Sequence, residues 1–300
     1  IRKDFFLDIT LLGTGSPVPM PNRASSGYLI EIGDEILVFD HGAGAHQNFL
    51  RTGYRATDLN TIFFSHLHTD HCLDYARLVH SRWDQGTGQI PNLQVYAPAY
   101  IQRMSDLLFG EEGVVHPDLN GRLNSDGSKK VYANRGGVLP RQRPNPVVTP
   151  IHDHQEIESD HWKMSIHEVF HQPGYIEPYA LRLESDSGVF VYSGDTGPCD
   201  SIVEISQDAD VLIHMCYFIS GTFTDSSRPL TSSGHLEAAR TAAAANVKTL
   251  VATHFTPQMD ALGVKERCLA EMAEIFMGRI VWGEDTMKIS TSPREIPHAR

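Results

Sequence analysis

The chain has little sulfur chemistry to offer. Its 300 residues include four cysteines, Cys72, Cys199, Cys216 and Cys268, scattered and without CxxC spacing, so no disulfide framework is encoded and a reduced, cytoplasmic setting is the simpler expectation. It lacks any apolar run of about 18 residues, which removes a membrane-spanning helix from consideration. No short-period repeat is present. Positive charge is scarce: 25 Lys and Arg stand against 37 Asp and Glu, a formal net charge of −12. Such a surface repels phosphate backbones unless a local basic patch overrides the average. An initiating methionine is also missing, since Ile1 comes first; a removed signal peptide or a trimmed end would look the same.

What is present is an ordinary globular composition, 41% hydrophobic and 21% charged, long enough for one large domain with a real core. Sixteen histidines are many, and histidine is the commonest metal ligand and a frequent acid–base group. The first segments read as strands at Phe5 to Leu12, Tyr28 to Ile32 and Glu35 to Phe39, followed by a loop at Asp40-His41-Gly42-Ala43-Gly44 and a short helix. An apolar strand at Thr61 to Phe64 leads into a histidine cluster, and a helix follows over Cys72 to Trp83. Residues 85–150 differ: they are rich in Gly, Pro, Asn and Asp, with one helix near Tyr100 to Phe109 and a basic stretch of Lys129, Lys130, Arg135, Arg141 and Arg143. They read as a surface insertion, with a lid or substrate-selecting arm as the functional version. Strands return at Lys163 to Phe170, Tyr179 to Leu183, Val189 to Tyr192, Val211 to Tyr217 and Thr249 to Ala252. Helices are expected over Gly234 to Ala245 and Val264 to Met277, then a last strand or two within Ile280 to Ile289. The pattern predicts an α+β fold, two packed sheets covered by helices, in a single domain over 1–290 with the insertion at about 85–150 and a loose tail over 291–300.

The strongest chemical signal is Ser-His-Leu-His-Thr-Asp-His at 65–71. It gathers three imidazoles and a carboxylate at the end of an apolar strand, a donor set that suits zinc, iron or manganese. Strand periodicity sends His66 and His68 to one side, and the turn that follows aims Asp70 and His71 elsewhere. Three more apolar strands end in polar residues: Phe170-His171-Gln172-Pro173-Gly174, Tyr192-Ser193-Gly194-Asp195-Thr196 and Ala252-Thr253-His254-Phe255. Such residues gather along one sheet edge, where sites form.

His-x-His-x-Asp-His, with the later histidine, the Ser-Gly-Asp and the final histidine in order, resembles the metallo-β-lactamase superfamily over most of residues 7–290. The resemblance implies a four-layer αββα sandwich with metals at one edge. Carried over by motif, His66, His68 and His171 hold a first metal, Asp70, His71 and His254 a second, and Asp195 bridges them. Asp40, in its Asp-x-Gly-x-Gly loop, orients ligands from behind. His171 is preferred over His152, His154, His161 and His167 because it alone sits at a strand's C-terminal end before Pro173-Gly174. Two zinc ions are the expected cofactors, with manganese or iron as alternatives. They would share a hydroxide that attacks the substrate, with Asp70 and His235 as catalytic residues and His235 serving the leaving group or a developing oxyanion.

Within the superfamily the chain resembles the ribonuclease Z branch and its arylsulfatase-like relatives, through Leu12-Gly13-Thr14-Gly15-Ser16 with Pro19 and Arg23, through Tyr192 to Cys199, and through His235 before Ala238-Ala239. It departs from that branch where His214 is followed by Met215 instead of glutamate, and in the short interval from His171 to Asp195, which leaves no room for a tRNA-gripping arm. These departures and the acidic charge favour a small-molecule substrate, an ester, lactone, sulfate ester or phosphodiester, with nucleic acid less favoured and tRNA 3′ maturation as the alternative. The basic 129–143 stretch is the counter-argument, as a replacement arm. A homodimer is expected by analogy. Cys72 reads as a buried small residue, and Trp83, Tyr175 and Phe218 read as core side chains that double as candidate pocket walls.

Overall fold

A computed structural model describes residues 7–222 and 230–291. Phe5 and Phe6 of the expected first strand, and 292–300 of the expected tail, lie outside the described residues. Thr291 itself is tied down: its N–H donates to the Leu7 carbonyl at 3.2 Å and its hydroxyl to the Ser187 carbonyl at 3.0 Å.

The N-terminal half runs β1 (Leu7–Gly13), β2 (Gly27–Ile32), β3 (Glu35–His41), α1 (Ala45–Arg51), β4 (Thr61–Phe63), α2 (Thr69–Cys72), α3 (Tyr75–Gly86), β5 (Gln94–Ala97), α4 (Tyr100–Phe109), α5 (His116–Asn124), α6 (Asp126–Asn134) and β6 (Val147–Pro150). The C-terminal half runs β7 (Glu156–Glu158), β8 (Lys163–Glu168), β9 (Tyr179–Ser185), β10 (Gly188–Tyr192), α7 (Asp200–Ile205), β11 (Val211–Met215), α8 (His235–Ala244), β12 (Thr249–Thr253), α9 (Val264–Ala273), β13 (Arg279–Trp282) and β14 (Lys288–Ser290). One sheet has the order β14-β1-β2-β3-β4-β5-β6 and the other β13-β12-β11-β10-β9-β8-β7. Each half thus builds one sheet, except that β14 crosses back to pair antiparallel with β1.

Strand alternation explains the layering. Leu7, Ile9 and Leu11 of β1, with Ile30, Phe39 and Phe63 of its neighbours, meet Met164, Leu181, Phe190 and Ile213 of the other sheet in one buried cluster. The alternate residues, Leu29, Val38, Ile62 and Val95, face outward onto Phe49, Leu78 and Ile101 of α1, α3 and α4. On the far side Val191, Leu212 and Leu250 pack against Ala238, Ala242 and Met272 of α8 and α9. Helix, sheet, sheet, helix is the expected αββα sandwich.

The 85–150 stretch differs from its reading as a loop-rich insertion with one helix. Besides α4 it holds α5 and α6 and contributes β5 and β6 to the first sheet. Gly121, Gly127 and the asparagines of α5 and α6 are poor helix formers, so periodicity gives no sign of them. Tertiary ties hold them instead. Arg141 lies between the rings of Trp83 and Tyr132, 3.6 and 4.7 Å from their centroids. Arg122, Arg135 and Arg141 converge on Asp84 at 3.0, 3.7 and 3.1 Å.

Candidate metal centre

The parallel strands β10, β11 and β12 run the same way, so their C-terminal ends open onto one edge, as do those of the parallel pair β3 and β4. Just past these ends come Asp195, His254 and, beyond β4, His66 and His68, while α2 carries Asp70 and His71. His171 follows β8 on the same edge. Close approach is built into the backbone. A Cβ on Gly42 would lie 1.9 Å from the Asp70 carbonyl oxygen, so only glycine lets the Asp40 loop lie against α2. Asp40 and His254 have positive φ, 54° and 62°, a left-handed conformation that costs non-glycine residues on the order of 1–3 kcal/mol and that clusters at functional sites.

The structure brings the seven expected donors together in two groups. His66, His68, His171 and Asp195 form one and Asp70, His71 and His254 the other, each with its ligating atoms within 4.8 Å of one another. In the first, His68 Nδ1 lies 3.1 Å from His66 Nε2 and 3.3 Å from His171 Nε2. In the second, Asp70 Oδ2 lies 3.3 Å from His71 Nε2 and 3.1 Å from His254 Nε2, and the two imidazole nitrogens are 3.3 Å apart. Asp195 Oδ2 stands between the groups, 3.9 Å from His66 and from His171 and 3.3 Å from His254.

This arrangement fits divalent cations. Donors about 2.0–2.1 Å from a tetrahedral ion are roughly 3.3–3.4 Å apart, the spacing the facing nitrogens show. Backing interactions settle which nitrogen is free. His171 Nδ1 donates to the Thr231 carbonyl at 2.6 Å and His71 Nδ1 to Asp40 Oδ2 at 2.7 Å, which leaves both Nε2 atoms as acceptors. Asp40 is buried and takes further hydrogen bonds from Ser65 N, Ser65 Oγ and the Tyr192 hydroxyl. Charge points the same way. Asp40, Asp70 and Asp195 are all buried, and among the described residues no Lys or Arg pairs with them. Asp195 Oδ1 lies 3.5 Å from His71 Nε2 and has no hydrogen-bond partner among the described residues.

The pKa directions agree at the carboxyls and at His66, whereas at His71 burial is outweighed by Asp195 and Asp40, which pull the imidazole well above its ordinary value. Burial pushes the Asp70 pKa up, but the His254 and His71 rings beside it outweigh burial and hold the carboxyl well below the usual range. Burial also opposes ionisation of Asp195, and the surrounding histidines, His254 first, overcome it. Burial keeps His66 neutral, with its pKa well below the ordinary value. The site therefore gathers ionised carboxylates around imidazoles, an excess of negative charge that a bound cation would balance.

Other expected residues are placed elsewhere. His235, at the start of α8, is buried; its Nδ1 accepts the Ser220 N–H at 3.1 Å and its Nε2 meets Glu271 at 2.7 Å. Among the described residues no hydrogen bond links it to the seven donors. Glu271, on α9, gave no sequence signal as its partner, because that contact exists only once α8 and α9 pack. Met215, standing where the branch motif has glutamate, accepts the Thr196 N–H on its sulfur at 3.0 Å. Cys72 is buried, its Sγ 3.2 Å from the His68 carbonyl, and burial pushes its thiol up to about 12. All four cysteines are unpaired. His152, His154 and His161 are exposed. Arg23 is structural: it binds Asp260, Thr14 Oγ1 and the Gly283 carbonyl.

Of the three expected core side chains, Phe218 is buried, Trp83 is half-buried, and Tyr175 is 90% exposed on the loop after His171. A cavity of about 740 Å³ opens between α3, α4 and residues 138–146, with Trp83, Phe109 and Arg143 in its wall. None of the seven donors lines it.

A family model, the β-lactamase superfamily domain, matches residues 36–255. Ribonuclease Z of Mycobacterium bovis (strain BCG / Pasteur 1173P2) is 29% identical over 96% of this chain and 99% of its own length. Among solved structures, the metallo-β-lactamase fold protein YhfI from Bacillus subtilis superposes with a TM-score of 0.72 at 22% identity, over 95% of this chain and 99% of that one. Human tRNase Z, short form, does so with 0.66 at 19%, over 95% and 100%. The relatives correct one expectation from the sequence. A small-molecule substrate, with nucleic acid less favoured, does not stand against whole-length relatives named for ribonuclease activity. Net charge misled because it averages over a surface of which a nucleic acid touches only a part.

Proposed function

The chain belongs to the β-lactamase superfamily, a metal-dependent hydrolase of the metallo-β-lactamase type, and on that premise we propose that it is a ribonuclease Z-type endoribonuclease that matures tRNA 3′ ends. The observation that carries the reading is the similarity to ribonuclease Z along almost the entire length of both chains. The converged donors supply the chemistry such a reaction needs.

We assign His66, His68 and His171 to one zinc ion, Asp70, His71 and His254 to the other, and Asp195 to both. Zinc held by these residues would supply Lewis acidity and lower the pKa of a bound water toward neutrality. The chain's own residues do the remaining work. Asp70, ionised and beside the two imidazoles assigned to the same ion, is assigned to orient the attacking water and take its proton. Asp40 holds the His71 ring in one tautomer. His235 is kept as the candidate donor of the leaving group's proton, a role that requires its ring to turn from the Ser220 N–H and from Glu271, the partly exposed carboxylate it now meets. Replacing His235 with Ala is expected to lower turnover while metal content stays intact; unchanged turnover removes it from the mechanism.

The deciding experiment is incubation of zinc-loaded protein with a 3′-extended precursor tRNA. Cleavage at the end of the acceptor stem that stops on chelation and returns with zinc supports the reading. Intact precursor at high enzyme concentration, with metal content verified, sinks it.

A further inference from the structure

The lysines of this chain are unevenly partnered. Of the described ones, Lys163, Lys248, Lys265 and Lys288 each face a carboxylate, at 2.6, 2.6, 3.0 and 3.7 Å. Lys129 and Lys130, side by side on α6, face none, and their ammonium groups make no hydrogen bond among the described residues. They stand where the charge balance of the chain reverses. Residues 100–146 carry seven Lys and Arg against five Asp and Glu, while the rest of the chain carries 18 against 32.

The basic 129–143 stretch thus divides into two kinds of cation. Arg135 and Arg141 are spent on Asp84, and Arg143 on the carbonyls of Phe109 and Gly110 and on His116. These side chains hold the lobe together. Among the described residues Lys129 and Lys130 hold nothing.

Around the two lysines, α5 and α6 form a hairpin joined by Ser125, which caps α6 through Ser128 N. Its outer surface presents Asn120, Asn124, Ser125 and Asn134, all exposed. A Cβ placed on Gly121 or Gly127 would meet nothing within 4 Å, so the backbone at both is open to a close-fitting partner. Lysine, asparagine, serine and bare backbone are the groups that contact phosphates and ribose hydroxyls. The hairpin's one aromatic, Tyr132, is buried. Single-stranded RNA is gripped by exposed aromatics on which bases stack, so this surface suits a base-paired stem read through its backbone.

The hairpin is also fixed relative to the metal centre. Arg122 and Arg135 bind it to Asp84 of α3, and α3 begins three residues after α2, which carries Asp70 and His71.

Resting on the ribonuclease reading above, we propose that the α5–α6 hairpin is a docking surface for the sugar–phosphate backbone of a base-paired RNA stem, with Lys129 and Lys130 as its phosphate contacts. The test is fluorescence anisotropy of a labelled 3′-extended precursor tRNA, and separately of its unpaired 3′ extension, titrated with zinc-loaded protein between about 50 and 200 mM salt. The proteins are wild type, K129Q/K130Q, K129E/K130E and, as a control on another face, K163Q. Charge removal is expected to weaken precursor binding about tenfold at the low-salt end and to flatten the log–log salt dependence by about two. Reversal should weaken it further, and K163Q should match wild type.

Wild-type affinity and slope in both lysine variants overturn the docking surface while leaving the ribonuclease reading intact if the precursor is still cleaved. An equal loss of affinity for the unpaired extension overturns the assignment to a stem. A wild-type protein that neither binds nor cleaves the precursor overturns the ribonuclease reading and the docking surface together.

Discussion

Asp40 illustrates how much of this centre depends on side chains that are not donors to it. Its two oxygens accept from Ser65 N at 2.8 Å and from Ser65 Oγ, His71 Nδ1 and Tyr192 OH at 2.7 Å each. An amide at this position offers one acceptor and sets N–H groups against donors. Asp40→Asn is therefore expected to loosen the His71 ring and to lower metal affinity about 10- to 100-fold, read by competition with a chromogenic chelator. Wild-type affinity would mean that His71 is oriented without Asp40.

His214 is a second residue-scale case, with a pH signature. Its Nε2 is buried and unpartnered among the described residues, and burial pushes its pKa down to about 4, against the pull of the Met215 carbonyl, Glu237 and Asp195. The folded value lies below the ordinary value of about 6.5, so between the two the unfolded chain binds the proton more readily. Stability from this residue is full above pH about 6.5 and is lost as pH falls toward about 4. Melting temperatures at pH 7.5 and pH 5 should differ less in His214→Gln than in wild type. An identical difference in the two proteins would show that His214 does not contribute to the acid sensitivity.

At the scale of elements, Asp84 is the joint between α3 and the α5–α6 hairpin. Removing it leaves Arg122, Arg135 and Arg141 facing one another without their shared anion. Asp84→Ala is expected to cost on the order of 2 kcal/mol, confined to the hairpin. Hydrogen exchange should accelerate over 116–134 and stay slow in the β8–β12 strands; uniform acceleration would mean that the lobe and the sandwich unfold together. The same hairpin shows where sequence reading stops. β1, β3, β10 and the donor cluster at 66–71 were legible because their signals are local: period-two alternation, a polar residue at a strand end, several ligand types within one turn. α5 and α6 gave no such signal. Their residues favour loops, and the forces that order them come from Asp84, Trp83 and Thr87, far away in sequence. The Glu271 partner of His235 and the Thr231 carbonyl behind His171 were hidden for the same reason. Conversely, the 129–143 stretch was legible as basic, but only packing reveals which cations are spent.

For the whole molecule, the donor set joins its two halves. His66, His68, Asp70 and His71 come from the N-terminal half, and His171, Asp195 and His254 from the C-terminal half that builds most of the other sheet. A cation held by both groups of donors cross-links the sandwich at one edge, and it binds the folded chain far more tightly than the unfolded one, in which nothing brings residue 66 near 171 or 254. Binding then adds stability by mass action, about 4 kcal/mol when free metal exceeds its dissociation constant a thousandfold. With a shift of roughly 2–4 °C per kcal/mol for domains approaching this size, stripping the metal should lower the melting temperature by about 8–16 °C, and zinc should restore it. Asp195→Ala, which removes the carboxylate standing between the two groups, should shrink that difference more than Asp70→Ala, which removes a donor from one group. Calorimetry on chelated, reloaded and variant proteins, with bound metal counted in each, measures this directly. A melting temperature indifferent to a verified loss of metal would mean that the two halves are held by the sandwich core alone and that the seven donors are prearranged by packing.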